Sequence, residues 1–230
     1  MKYITSALCF FLLFGFANAQ DQVVNLICEY KPNPIGLEAS QPRLSWQIQS
    51  DRKNVVQTAY EIRAAESPAN LRKGKQQLWA TGKVSSNQSV HIPYAGPALT
   101  SRQRVYWQVR VWTQDQPSDW SEVAYWEMGL LDEAAWQASW ITKAGEAQGE
   151  ESLPAHYYRT EFSTPKNIKQ ARVYVTSLGL YQLYINGEKI SDDLFTPGYT
   201  SYHQRLQYQV YDVTDFLQDK NAIGAIVGDG

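Results

Sequence analysis

The chain has 230 residues, 43% of them hydrophobic and 19% charged, with 21 Lys and Arg against 23 Asp and Glu. That length allows one or two domains. Without the N-terminal segment that carries Lys2, the balance is 20 basic to 23 acidic, a mildly acidic surface with no basic stripe for nucleic acid and no polybasic patch for a membrane.

The N-terminus reads as a targeting segment. Lys2 begins it, Ala7–Phe16 (ALCFFLLFGF) is its apolar run, and Ala17-Asn18-Ala19 supplies small residues for cleavage before Gln20. The run is too short to span a bilayer, which takes about 20 apolar residues. Residues 1–19 are therefore expected to be a signal peptide, with the protein exported to the periplasm or the extracellular space. Of the two cysteines, Cys9 leaves with the signal. Cys28 alone forms no internal disulfide, so the core must hold the fold. It is read either as a reactive thiol or as a small buried residue.

Aromatic usage divides what remains. All eight Trp lie between Trp46 and Trp140, whereas nine of the fifteen Tyr lie in 141–230. Between the two regions, Lys143–Ala155 (KAGEAQGEESLPA) has no apolar period and reads as a linker. In the first region, about 23–130, short strands are predicted at Leu44–Ile48, Ala59–Ala65, Ser89–Tyr94, Arg104–Thr113 and Ala124–Met128, with at most one helical turn at Pro68–Gly74. In Arg104–Thr113, Val105, Trp107, Val109 and Val111 should face the core. Tyr106 and Trp112 should fall on the outer side. Regularly spaced strands and turns point to an antiparallel sandwich of fibronectin type III or immunoglobulin type, and the missing Cys–Trp–Cys pattern favours the former.

The second region is read from His156. Strands are predicted at Tyr157–Phe162, Ala171–Thr176, Leu180–Ile185, Glu188–Ile190 and Arg205–Tyr211. A turn or bulge falls at Gly179. Asn186-Gly187 specifies a type I′ hairpin, because both central positions need positive φ. Asp212 or Thr214 should cap a single helical turn. Ala222–Val227 reads as a strand with no partner left in the sequence. The expected architecture is all-β, with the first sandwich followed by about half of a second β-sandwich over 156–230.

No catalytic constellation stands out. The sequence has no G-x-S-x-G, H-E-x-x-H, P-loop or dinucleotide fingerprint, and His91, His156 and His203 lack metal-ligand spacing. No cofactor or metal is expected. Paired carboxylates on a sugar are the chemistry open to a secreted β-rich chain, but Asp192-Asp193, Asp212 with Asp215, and Asp115 with Asp119 all fit turns or caps. Tyr199 and Tyr202, in a Pro-Gly loop, are the candidate carbohydrate contacts: an aromatic face suits the C–H side of a sugar. The competing reading, and the favoured one, is that the same rings pack between strands or against a neighbouring domain. Asn87-Gln88-Ser89 matches a glycosylation sequon.

Several blocks resemble bacterial α-L-rhamnosidases of glycoside hydrolase family 78. They are Leu26–Pro34 with Pro42–Trp46, the junction Trp136–Thr142 (WQASWIT), Arg159–Phe162, and Ala171–Tyr174 with Gly179–Tyr181. The most specific block is Ile185–Gly187 with Thr196–Tyr202, then Tyr208 and Tyr211–Thr214. Where the family usually has Trp after Pro-Gly, this chain has Tyr199. The resemblance implies a fibronectin-like domain over 23–130, a junction over 131–155 and, over 156–230, the incomplete N-terminal part of an accessory jelly-roll of galactose-binding type. It further implies an (α/α)₆ catalytic barrel, absent from this sequence, that releases terminal α-L-rhamnose from a glycan or glycoside with inversion. A freestanding carbohydrate-binding or adhesion module is the other reading.

Overall fold

The computed structural model describes residues 21–143 and 154–229. The expected signal peptide, and most of the expected linker, lie outside the described residues. Thirteen strands follow one another: β1 (Gln22–Cys28), β2 (Arg43–Gln49), β3 (Ala59–Ala65), β4 (Trp79–Ala80), β5 (Ile92–Pro93), β6 (Arg104–Trp112), β7 (Ala124–Glu127), β8 (His156–Ser163), β9 (Arg172–Val175), β10 (Leu180–Ile185), β11 (Glu188–Lys189), β12 (Gln209–Asp212) and β13 (Lys220–Gly228). One short helix, α1 (Pro68–Lys73), and two 3₁₀ turns, at Glu133–Ala135 and Thr214–Phe216, complete the described elements. No described helix is long and apolar enough to cross a membrane. The sheets run β1-β2-β5, β4-β3-β6-β7, β11-β10-β13-β8 and β12-β9.

The chain forms two compact units. One comprises the residues through Ile27, Arg43–Gly96 and Tyr106–Ala124; the other comprises Cys28–Pro42, Pro97–Val105 and the residues from Tyr125 onward. In the first unit, β3 and β6 pair antiparallel from Ala59↔Trp112 to Ala65↔Tyr106. The apolar alternation of β6 works as predicted, for Trp107, Val109 and Val111 are wholly buried together with Leu44 and Ile62. Burying each such side chain stabilises the fold by about 1.5–3 kcal/mol. Trp46 donates its indole N–H to Gln57 Oε1 at 2.9 Å, so a large ring enters the core with its polar atom satisfied. The single helical turn is capped at both ends. Ser67 Oγ accepts from Asn70 N, and Gly74 takes the left-handed conformation after Lys73.

Trp112 departs from the sequence expectation. It is not a surface ring but 7% exposed. Lys83 Nζ lies 4.6 Å from its centroid and the Arg110 guanidinium 5.3 Å away, so long cationic side chains cover the outer side of β6. Cys28 resolves toward its packing reading: it is buried, and burial pushes its thiol well above the ordinary range.

In the second unit the expected hairpin is present. Asn186 and Gly187 have φ of 53° and 85°, joining β10 to β11 with Ile185 opposite Glu188. The expected orphan strand is corrected. β13 is central, paired with β10 from Leu180↔Gly228 to Ile185↔Ile223 and with β8 from Lys220↔Ser163 to Val227↔His156. Its partners lie far back in the sequence, where no local signal marks them.

Gly179 is where this sheet begins. Its φ is 99°, and a Cβ there would land on the Gly228 carbonyl oxygen. Replacing Gly179 by Ala is expected to cost at least about 1–3 kcal/mol from the backbone conformation alone, with the collision adding to it. A fall in the urea midpoint of the whole chain measures the effect; an unchanged midpoint contradicts it.

Candidate functional site

The second unit carries every candidate residue that the sequence singled out for carbohydrate contact. The loop from β11 to β12 is tied down through its backbone. Tyr181 N donates to Thr196 O at 2.9 Å, and Thr196 Oγ1 donates to Tyr181 O at 2.9 Å. Gln209 Nε2 donates to Pro197 O at 2.9 Å, and Thr200 Oγ1 to Arg205 O at 2.6 Å. Gly198, with φ of 106°, turns the chain there. On this fixed backbone the apolar side chains point outward: Leu194 and Phe195 are exposed, and Tyr199 is 88% exposed.

The two predicted tyrosines part company. Tyr199 offers its ring to solvent. Tyr202 is half-buried, and its hydroxyl sits inside with no hydrogen-bond partner. Only Tyr199 therefore presents an open aromatic face, with Phe195 as a neighbour in sequence that the sequence reading did not single out. Beside the loop, Tyr211 donates to Asp193 Oδ2 at 2.9 Å, and Tyr181 to Gln209 Oε1 at 2.7 Å. The cavity there measures about 10 Å³, room for one water and no sugar. A glycan contact at this loop is thus a surface contact.

The carboxylates have structural partners. Asp212 accepts from the backbone N–H of Thr214 at 3.1 Å and from its hydroxyl at 2.6 Å, closing a tight local turn; the cap expected from Asp212 or Thr214 is not formed, because Val213 takes the N-cap position of the 3₁₀ turn and no side chain caps it. It also pairs with Arg172 Nη1 at 2.8 Å. Burial acts to raise its pKa, but the Thr214 hydrogen bonds and the Arg172 charge outweigh it and hold the carboxyl below the usual range. Among the described residues no group of three or more His, Cys, Asp or Glu is arranged to hold a metal.

Sequence reasoning missed the most heavily bonded charge of this unit, Glu127 at the end of β7. Its carboxylate accepts from Arg172 Nε at 2.9 Å, Arg104 Nε at 2.9 Å and Gln170 Nε2 at 3.0 Å. Side-chain exposure is 4% for Glu127 and 8% for Arg172. Its backbone is engaged as well, with Glu127 N donating to Pro34 O and Leu37 N donating to Glu127 O. Arg104, Arg172, Glu127 and Asp212 thus form one charge-balanced group. Next to it, Trp136 of the WQASWIT block meets Tyr208 edge-on, with centroids 5.8 Å apart. The Tyr208 hydroxyl accepts from Leu130 N at 2.8 Å, and burial pushes its phenol up to about 12. Two sequence blocks that carried the resemblance therefore touch in space.

Family comparisons agree with this arrangement. The model described as a Rha78A-like N-terminal immunoglobulin domain matches residues 23–132, and the α-L-rhamnosidase N-terminal domain matches residues 166–230. The chain carries the N-terminal domains of the α-L-rhamnosidase family. The first match is of immunoglobulin type even though the chain has no cysteine pair. An α-L-rhamnosidase of Formosa agariphila is 38% identical over 99% of this chain and 26% of its own length. One from Alteromonas sp. (strain LOR) is 37% identical over 86% of this chain and 22% of its own length. The solved α-L-rhamnosidase from Dictyoglumus thermophilum superposes with a TM-score of 0.82 at 40% identity, covering 91% of this chain and 25% of that one. The Aspergillus terreus enzyme gives 0.78 at 29% identity, covering 91% and 24%. This α-L-rhamnosidase N-terminal region therefore spans about a quarter of the length of the relatives it matches.

Proposed function

We propose that this chain is the exported, non-catalytic N-terminal portion of an α-L-rhamnosidase. The observation that supports it best is the pair of N-terminal family matches on a chain about a quarter as long as its relatives. Residues 1–19 direct export to the periplasm or beyond. Residues 23–130 form a β-sandwich module of immunoglobulin or fibronectin type, 131–155 the junction, and 156–230 the front of a jelly-roll accessory domain. In the complete protein an (α/α)₆ catalytic domain removes terminal α-L-rhamnosyl residues from a glycan or glycoside with inversion. One carboxylic acid protonates the leaving oxygen while a second carboxylate activates water. Neither group belongs to this chain.

The deciding experiment is an immunoblot of the native secreted protein with an antibody to residues 23–130. A band far above 26.2 kDa is expected. A band at or just below that mass overturns the reading and leaves a freestanding carbohydrate-binding or adhesion module.

Tyr199 is the residue of this chain proposed to touch the glycan. In the complete enzyme, Tyr199→Ala is expected to raise KM on a rhamnosylated polymer about three- to tenfold, the scale of 1 kcal/mol or so for one ring contact. It should leave kcat on a small aryl rhamnoside unchanged. Equal KM values for wild type and variant on the polymer rule the contact out.

A further inference from the structure

In the first unit, the outer side of β3 and β6 carries a column in which cations and indoles alternate. Lys83 Nζ lies 4.6 Å from the Trp112 ring centroid. The Arg110 guanidinium lies 5.3 Å from that ring and 4.7 Å from Trp120. The Arg63 guanidinium lies 3.9 Å from Trp120. The order of contact is Lys83, Trp112, Arg110, Trp120, Arg63. These residues come from four separate stretches of sequence, so no basic run announces them. The backbone fixes their places. Arg63 stands opposite Gln108, and Glu61 opposite Arg110, in the β3–β6 register. Trp120 is held by the serines around it. Ser118 N donates to Val111 O at 2.8 Å and Ser121 N to Val109 O at 2.9 Å. Val111 N and Val109 N donate in return to the Oγ of Ser118 and of Ser121, each at 3.1 Å. Two hydroxyl oxygens thus stand in for the carbonyls of a neighbouring strand and tie this segment along β6.

Charge along the column is unevenly met. Arg110 donates Nε and Nη2 to the same oxygen, Glu61 Oε2, at 2.8 and 2.6 Å. Arg63 donates Nη2 to a neutral acceptor, Gln108 Oε1, at 3.0 Å, and its Nε is buried with no acceptor. Lys83 is exposed, with its ammonium over the Trp112 ring. Burial and the neighbouring Arg110 charge both lower the Arg63 pKa, and Glu61 offsets them only in part. A guanidinium keeps its proton regardless, so an added anion, not proton loss, relieves this repulsion. The indole faces are taken by cations, which leaves N–H edges for a ligand. Arg110 is 31% exposed and Arg63 half-buried, so both are reachable from solvent. Such an edge matches the paired oxygens of a carboxylate or a sulfate.

We propose that the column from Lys83 to Arg63 binds the carboxylate or sulfate groups of an acidic polysaccharide. The choice of a polysaccharide rests on the reading of the chain as part of an α-L-rhamnosidase; the anion site rests on the column alone. A row of cations suits a polymer whose charges recur along its length, because several weak contacts then act together. The chain as a whole has a net charge of −2, so its overall field repels polyanions and the attraction has to be local.

Affinity electrophoresis of the 230-residue chain tests this, in native gels holding polygalacturonate, dextran sulfate or neutral dextran. Retardation is expected with a polyanion and not with dextran. Retardation by polygalacturonate alone assigns carboxylates, by dextran sulfate alone sulfate esters, and by both any anion that fits a guanidinium edge. Arg63→Gln should weaken binding about tenfold, the scale of a hydrogen bond to a charged group. Lys83→Gln should weaken it about threefold, the scale of an exposed ion pair; Lys83 is a surface residue, so this variant tests the site even if Arg63→Gln disturbs the column. Arg72→Gln, on α1 and outside the column, should bind as wild type. Salt at about 0.5 M should abolish retardation. No retardation by either polyanion overturns the proposal. Equal weakening by Arg72→Gln means bulk charge and overturns it too. Polyglutamate bound as tightly as the polysaccharides assigns the column to an acidic peptide and overturns the glycan. Each of these failures leaves the assignment to a rhamnosidase standing, since the size of the native protein decides that separately.

Discussion

Replacing Glu127 by Ala is expected to destabilise the second unit by about 3–5 kcal/mol, the usual cost of breaking a buried ion pair by removing one partner. The cost does not measure how much the pair stabilises the fold. It arises because Arg172, 8% exposed, and Arg104 keep their charges after the carboxylate that compensates them has gone. Asp212 remains as a partner of Arg172 Nη1, but it is half-exposed and faces the other side of the guanidinium. Gln170 and the Arg172 Nε also lose an acceptor. Glu127→Gln keeps the shape and one acceptor oxygen, so its cost should fall between wild type and alanine. Changing Arg172 to Met together with Glu127→Gln should recover part of the loss, because fewer charges are then left unmatched. Urea unfolding of the whole chain, followed by far-ultraviolet dichroism, reads these differences. An alanine variant within about 1 kcal/mol of wild type would mean that water reaches the two guanidinium groups and that the cluster is in effect a surface pair.

That cluster also marks the limit of what the sequence made legible. Local signals were read well. β3 runs from Ala59 to Ala65 as the alternation predicted, and the Asn186-Gly187 turn sits where its chemistry put it; the expected cap failed, since Val213 rather than Asp212 or Thr214 takes the N-cap position of the 3₁₀ turn. Other strands came out shorter, for reasons visible in the backbone bonding. Around the predicted strand Ser89–Tyr94, the N–H of His91 goes to Ser45 Oγ and Pro93 has no N–H to give, which leaves only Ile92–Pro93 in the ladder. The predicted start at Arg205 fails similarly, since Gln207 O accepts from the Thr176 hydroxyl rather than from a neighbouring strand.

What could not be read was pairing across distance. β13 finds β10 and β8 some forty and sixty residues earlier, and an alternating pattern states which face is apolar without naming the strand alongside. Nothing in the sequence sets Glu127, at the end of Ala124–Met128, or Arg172, within Ala171–Thr176, apart from an ordinary solvent-facing charge. Only the folded register shows that each neutralises the other. The candidate site followed the same rule. The Pro-Gly loop was legible, and the exposure that separates Tyr199 from Tyr202 was not.

The purified 230-residue chain is expected to release no rhamnose from an aryl α-L-rhamnoside above the rate in buffer. Enzymes accelerate their reactions by at least about a millionfold, so even a poorly formed active site would be seen. An inverting glycosidase needs two carboxyl groups about 6.5–9.5 Å apart on opposite sides of a bound sugar, one held protonated and one free to take a proton from water. The best-bonded carboxylates of the second unit are engaged otherwise. Asp212 is held ionised by Thr214 and Arg172, the reverse of what a general acid requires. Asp193 accepts the Tyr211 hydroxyl beside a cavity with room for no more than a water. Glu127 is enclosed by two arginines and a glutamine, with no approach for a substrate. Hydrolysis by this chain that survives Asp193→Asn and Asp212→Asn would mean that a different carboxylate pair does the work, and the non-catalytic assignment would be wrong. Loss of any such hydrolysis on extensive repurification would instead trace it to a contaminating enzyme. The prediction is sharpest when the longer protein implied by the proposed function, assayed in parallel, cleaves the same rhamnoside, because the activity then maps outside these 230 residues.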